Sequence, residues 1–221
     1  MDDLSGLTTH YGSDKVLHGF TPFYYGHLER RKMEIGKVLE IGVHRGGSLL
    51  MWRDYFPNAL VHGLDVTDPG LPPSERVCIH TGDQSDRDDL ARLVAAAGSD
   101  FDLIIDDGGH TMGQQQTSFG CLFPHVSAGG AYIIEDLHTS FMDSIGLYAG
   151  GRMVGSYPTG VSDDVPTTYD IVAGLASGRA VRGAYMTENE YAYISEWVET
   201  VILFDRDDDR AHITSLITKR P

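Results

Sequence analysis

Apolar positions fall into two rhythms along this chain. Short runs of branched and aliphatic residues recur at Lys37-Val-Leu-Glu-Ile41, Leu60-Val-His-Gly-Leu-Asp65, Val77-Cys-Ile-His80, Asp102-Leu-Ile-Ile-Asp106 and Ala131-Tyr-Ile-Ile134. Near-continuous runs of this kind mark strands covered on both faces. Between them the apolar spacing changes to three and four residues, as in Leu49, Leu50, Trp52 and Phe56, then Leu90, Leu93, Val94 and Ala97, then Phe119, Leu122 and Phe123. These predict helices with one sheet-facing stripe. After the fifth strand the alternation stops. Thr187 and Glu190 form a capping box for a helix through Trp197, and Thr200–Phe204 with His212–Ile217 flank the polar turn Asp205–Arg210 as a hairpin. Seven strands arranged this way predict an α/β fold, a doubly wound sheet of order 3-2-1-4-5-7-6 with strand 7 antiparallel, since crossovers between parallel strands are right-handed.

Two stretches outside the rhythm complete a single domain of 221 residues. Residues 1–36 predict a helical cover over one sheet edge, with Tyr11-Gly-Ser-Asp-Lys15 as a turn and a helix opening at Thr21 as cap and Pro22 in the first turn. A ligand contact from Tyr11 or Lys15 is the alternative for that turn. Residues 139–182 are rich in Gly, Ser, Thr and Pro and longer than an ordinary connection, which makes 139–190 a candidate substrate lid.

The strand ends carry the chemistry. Asp106-Asp-Gly-Gly-His110 and Glu135-Asp-Leu-His138 each close a buried strand with paired acids and a histidine. Crowded carboxylates repel and lose hydration, so they persist where a cation lies between them or where they move protons. In a parallel sheet this is also the ligand-binding edge. Asp107, Glu135 and Asp136 are therefore candidate metal ligands, and His110 the candidate base; His138, His44 and Arg45 read as passive. The first strand runs into Glu40-Ile-Gly-Val-His-Arg-Gly-Gly-Ser48, whose Gly42, Gly46 and Gly47 allow close backbone approach to a ligand. The spacing is not that of a dinucleotide loop, and Glu40 suits a ligand with a cationic amino acid end such as S-adenosylmethionine. Asp65 is placed to bind ribose hydroxyls, and Asp83 with Gln84 either to address a purine or to cap the next helix.

Composition narrows the partners. Seventeen Lys+Arg against 32 Asp+Glu give a net charge of −15, which argues against nucleic acid and anionic membrane surfaces. Cys78 and Cys121 have no metal or disulfide spacing and read as buried thiols. With no secretory leader or membrane span in the sequence, the expectation is a cytoplasmic protein.

Taken together, Tyr11-Gly-Ser-Asp-Lys15, Val38-Leu-Glu-Ile-Gly-Val43, Met51-Trp-Arg-Asp-Tyr-Phe-Pro57, Gly82-Asp-Gln-Ser-Asp86, Asp106-Asp-Gly-Gly-His110 and Tyr132-Ile-Ile-Glu-Asp-Leu137 resemble the metal-dependent sugar O-methyltransferases of macrolide and polyketide antibiotic pathways. The resemblance covers about residues 7–141 and implies a Rossmann-like class I methyltransferase using S-adenosylmethionine and Mg2+ on a glycosylated natural product. By position it implies Asp107, Glu135 and Asp136 as metal ligands and His110 as base. It implies Asp65, Asp83 and Gln84 as adenosine contacts, and with the turn and glycine-loop readings the candidate cofactor contacts are Tyr11, Glu40, Gly42, Gly46, Gly47, Ser48, Asp65, Asp83, Gln84 and Asp106. Gly109 stands where the family more often has Ser, and the family's large N-terminal domain has no counterpart in these residues. A homo-oligomer is compatible with a lid of this length. Two other readings compete: a non-haem iron hydroxylase using His110, His138 and Asp107 or Glu135, and a non-catalytic cofactor-binding subunit.

Overall fold

The computed structural model describes residues 2–149, 152–207 and 210–221, so Asp208 and Asp209 of the expected polar turn 205–210 lie outside the described residues, as do Gly150 and Gly151. In chain order the elements are α1 (Asp3–Tyr11), α2 (Thr21–Leu28), β1 (Lys37–Ile41), α3 (Gly47–Tyr55), β2 (Leu60–Asp65), β3 (Val77–Thr81), α4 (Arg87–Ala97), β4 (Phe101–Asp106), α5 (Met112–Leu122), β5 (Val126–Ile134), β6 (Ser144–Ala149), β7 (Arg152–Pro158), α6 (Thr168–Ser177), α7 (Glu188–Trp197), β8 (Val198–Asp205) and β9 (Ile213–Lys219). The main sheet has the order β3-β2-β1-β4-β5-β9-β8, which is the expected arrangement once the separate β6-β7 hairpin is set aside. β9 runs antiparallel to both β5 and β8.

Alternate residues of each central strand feed two cores. Val38, Leu103, Ile105, Ala131 and Ile133 pack with Tyr24, Trp52, Tyr55 and Phe56 of α2, α3 and the turn after it. Leu39, Ile41, Ile104, Tyr132 and Ile134 pack on the other face with Leu90, Phe119, Leu122, Ile171 and Ile194 of α4 to α7. With both faces covered, neither set of alternate positions tolerates polarity, which is why the strands read as unbroken apolar runs. Full burial of each such side chain contributes about 1.5–3 kcal/mol.

Four local details add to or change the expectations. α1 was not foreseen: Asp2 caps it by accepting from the Ser5 amide at 2.8 Å, but its apolar stripe is too thin to stand out among polar neighbours. Thr21 is the first residue of α2 rather than its cap, and its hydroxyl accepts from Ser5 Oγ at 2.9 Å. Residues 139–190 are not a plain connection. They hold the β6-β7 hairpin and α6, the latter closed by a Thr167–Asp170 capping box. The hairpin escaped notice because the described part of β7 is mostly exposed, so no buried face imposes alternation. Cys78 and Cys121 are free and half-buried rather than fully buried.

Inside the sheet, His62 of β2 is 4 % exposed, stacks on His80 of β3 and has Nδ1 3.0 Å from His80 Nε2. Burial, reinforced by His80 and Lys37, lowers its pKa from 6.5 to about 4. The folded state therefore holds His62 neutral, and its contribution to stability is present above about pH 6.5 and lost as pH falls toward about 4. The urea midpoint of the wild type is expected to fall more steeply between pH 7 and pH 4.5 than that of His62→Leu; equal slopes would show that His62 is not held neutral.

Candidate active site

The carboxyl ends of β1, β2 and β4 open onto a cavity of about 1090 Å³. Its walls include Gly42, Gly47, Ser48, Asp65, Asp83 and Gln84, and across from them Tyr11, Asp107, His110 and Asp136. His44 and Arg45, expected to be surface decoration, line it as well. Four expected site residues do not: Glu40, Gly46, Asp106 and Glu135 lie behind the wall.

Each of the hidden residues has a structural explanation. Glu40, fully buried, accepts from Ser48 Oγ at 2.6 Å and Trp52 Nε1 at 3.0 Å, so it ties α3 to β1 from beneath the loop. Gly46 (φ +82°) turns the loop into α3, where an added Cβ would strike Leu71. Asp106 bonds Ser118 Oγ and accepts from Gln84 Nε2 at 3.0 Å. Burial raises its pKa to about 6 against those bonds. Gln84 Oε1 in turn accepts from the Gly109 amide at 2.8 Å, so one side chain braces the turn that carries Asp107 and His110.

Asp65 combines wall and brace. Its Oδ2 accepts from the Val43 and His44 amides at 2.8 and 2.9 Å, and Oδ1 from the Thr67 amide at 3.1 Å. Burial alone would raise its pKa, but these amides outweigh it and hold the carboxyl low. Asp83 accepts from the Ser85 amide at 2.8 Å, while the cap of α4 is Asp86.

At the far side the acids converge. Asp107, His110 and Asp136 each offer a ligand atom within 4.8 Å of the others. His110 Nε2 is 3.3 Å from Asp136 Oδ2. His110 and Asp136 both take left-handed backbone (φ +60° and +54°), tolerated best by short polar residues and stored at a cost of order 1–3 kcal/mol each. The Thr139 hydroxyl supports both, 2.8 Å from the His110 carbonyl and 3.0 Å from that of Asp136.

Glu135 stands just behind this group. Its Oε1 lies 2.8 Å from Lys15 Nζ, which also reaches Asp107 Oδ2 at 2.5 Å and Glu40 Oε1 at 3.3 Å. Burial pulls the ammonium toward neutrality, but Asp107, Glu135 and Glu40 outweigh it and raise the Lys15 pKa well above its ordinary value. Burial, and next the charge of Asp107, push Glu135 well up against the pull of Lys15. Among the described residues, Glu135 Oε2, Asp136 Oδ1 and His110 Nδ1 are buried without a hydrogen-bond partner. Unpaired buried carboxylate oxygens in one cluster fit a hard divalent cation.

Sequence reasoning missed two contributors, His18 and His212, and read a third, His138, as passive. His18 and His138 bring Nδ1 to 3.6 and 3.7 Å of Asp136 Oδ1, and His212 stacks on His18. His18 and His212 come from the ends of the chain, and no local spacing announces them. Among the described residues, the group whose ligand atoms lie within 4.8 Å of one another has one imidazole and two carboxylates, and His138 is not part of it.

Strand order, the antiparallel last strand and a cavity at the glycine loop define the fold of a class I methyltransferase. No family profile matches the chain. It is 42 % identical over 153 residues to demethylmacrocin O-methyltransferase of Streptomyces fradiae, covering 65 % of this chain and 38 % of that protein. It is 39 % identical over 168 residues to 8-demethyl-8-(2-methoxy-alpha-L-rhamnosyl)-tetracenomycin-C 3'-O-methyltransferase of Streptomyces olivaceus, covering 72 % and 43 %. Among solved structures it matches the MycE methyltransferase of the mycinamycin pathway in complex with Mg, SAH and mycinamycin VI, at a TM-score of 0.75 and 30 % identity over 99 % of this chain and 55 % of that one. The chain is thus a homologue of the sugar O-methyltransferases of macrolide and polyketide pathways, and it spans less than half the length of the two curated relatives.

The glycine loop and the acid-bearing turn touch through backbone. Gly42 has φ +85°, and a Cβ there would lie 2.0 Å from the Asp107 carbonyl oxygen. Gly42→Ala is expected to destabilise the fold by on the order of 2–4 kcal/mol in urea unfolding, from strain and overpacking together. A change below about 0.5 kcal/mol would show that the two turns are not in contact.

Proposed function

We propose that this chain transfers the methyl group of S-adenosylmethionine to a sugar hydroxyl of a glycosylated secondary metabolite, with magnesium as its metal. The observation that carries the reading is the junction of the glycine-loop cavity with the Asp107–His110–Asp136 group, which lines the same cavity. The relatives' names support the same substrate class.

In this reading the loop from Gly42 to Ser48, with Tyr11 opposite, receives the amino acid end of the cofactor, Asp65 its ribose, and Asp83 with Gln84 its adenine. Asp107, Asp136 and Glu135, whose Oε2 has no partner, would hold the cation. Bound magnesium supplies Lewis acidity that lowers the pKa of the acceptor hydroxyl and fixes its orientation. His110, whose Nε2 lies 3.3 Å from Asp136 Oδ2 at the cavity wall, is the base that takes the proton from the acceptor hydroxyl. The oxygen forms its bond to the methyl carbon as the carbon–sulfur bond breaks, and sulfur leaves with the electron pair. Holding these atoms in line is the larger part of the work. Tyr157 of β7 donates to the Gly109 carbonyl at 3.0 Å, beside His110, so the β6-β7 hairpin is the segment we assign to the acceptor side as a lid.

Release of S-adenosylhomocysteine, followed by mass spectrometry over a panel of glycosylated macrolides and tetracenomycin-type glycosides, tests the proposal. His110→Ala is expected to cut turnover by about a hundredfold or more while cofactor affinity is retained. Chelation should abolish transfer and Mg2+ restore it. Undiminished activity of the metal-stripped protein in excess EDTA would overturn the metal role, and cofactor binding without turnover on any acceptor would favour a non-catalytic subunit.

A further inference from the structure

Lys15 is the one lysine whose side chain has no exposure at all, yet it does not face the cavity. Its ammonium is shared by carboxylates from three strand ends: Glu40 in β1, Asp107 after β4 and Glu135 after β5. Glu40 is itself anchored by Ser48 and Trp52 of α3. The short helical turn that carries Lys15, Asp14–Val16, is capped by Ser13. A rigid N-terminal turn thus places one cation at a fixed point behind the site. It engages one oxygen of Asp107 and one of Glu135, and Glu135 Oε2 is left without a partner.

We infer that Lys15 is a positioning residue of the metal site, an internal cation that fixes the orientation of Asp107 and Glu135 so that their remaining oxygens are presented together to a divalent ion. This rests on the metal reading above. Two effects of removing the ammonium oppose each other. As a like charge, Lys15 repels a dication, so its loss would tighten binding if electrostatics ruled. As a fixed anchor, its loss frees two buried carboxylates to turn away, so binding would weaken if geometry ruled. The sign of the change therefore separates the two.

The test is Mn2+ titration of the intact chain, with free Mn2+ read from its electron paramagnetic resonance signal, for the wild type, Lys15→Met, Lys15→Arg and Glu40→Gln. The expected result is at least tenfold weaker Mn2+ binding in Lys15→Met, with partial recovery in Lys15→Arg and a severalfold loss in Glu40→Gln, which removes the charge behind Lys15 at a side chain that does not line the cavity. Circular dichroism melts show which variants fold; if Lys15→Met does not, Glu40→Gln decides. Unchanged or tighter binding in the folded variants would overturn the inference while leaving the metal site standing. A wild type that binds no Mn2+ would instead remove the metal reading itself.

Discussion

Carboxylates crowded at the ends of three neighbouring parallel strands are the constraint to which the rest of this structure answers. Glu40, Asp106, Glu135 and Asp136 are all buried, with Asp107 beside them half-buried at the cavity wall. Ionised acids in such a place are costly unless each finds a partner. The chain meets that cost residue by residue. Asp106 is given hydroxyl and amide donors from Ser118, Gln84 and Tyr132, Glu40 the indole and hydroxyl of α3, and Glu135 and Asp107 the Lys15 ammonium. Removing one partner from a buried ion pair of this kind costs about 3–5 kcal/mol, so the network is also a strong link between the N-terminal turn and the sheet.

The partners account for much of the surrounding architecture. α1 and the turn that follows it pack beside α2 and α3 and also deliver Tyr11 and Lys15. The Asp107 turn is clamped from two sides, by Gln84 on the Gly109 amide and by the close approach of Gly42 to the Asp107 carbonyl. The left-handed conformations of His110 and Asp136 persist because Thr139 and the surrounding packing hold them. Orphaned oxygens of Glu135 and Asp136 remain after these bonds are made, and the proposed cation would be their partner.

The sheet was legible in the sequence because burial on both faces imposes apolar runs, and the acids ending those runs broke a pattern that packing alone would have kept. Asp65, Asp83, Gln84, Asp107, His110 and Asp136 reach the cavity as their strand-end positions implied. Glu40 did not, because strand periodicity places it at the right height but does not say that Ser48 and Trp52 claim its oxygens. Lys15 had read as a turn residue or a ligand contact; its burial among three acids depends on contacts 92 and 120 residues away, which no local pattern encodes. The same holds for His18 and His212 beside Asp136. The β6-β7 hairpin and α6 were hidden in a Gly- and Ser-rich stretch where exposure removes the periodic signal.

The central claim is that the strand-end acids hold one hard dication at the wall of the cofactor cavity. Crystals grown with Mn2+ and S-adenosylhomocysteine, with data collected at the manganese absorption edge, address it directly. The account predicts a single strong anomalous peak in coordination contact with Asp107, Glu135 and Asp136, and the adenosine beside Asp65. A peak on surface acids alone, or none with these carboxylates closed on Lys15, would contradict it.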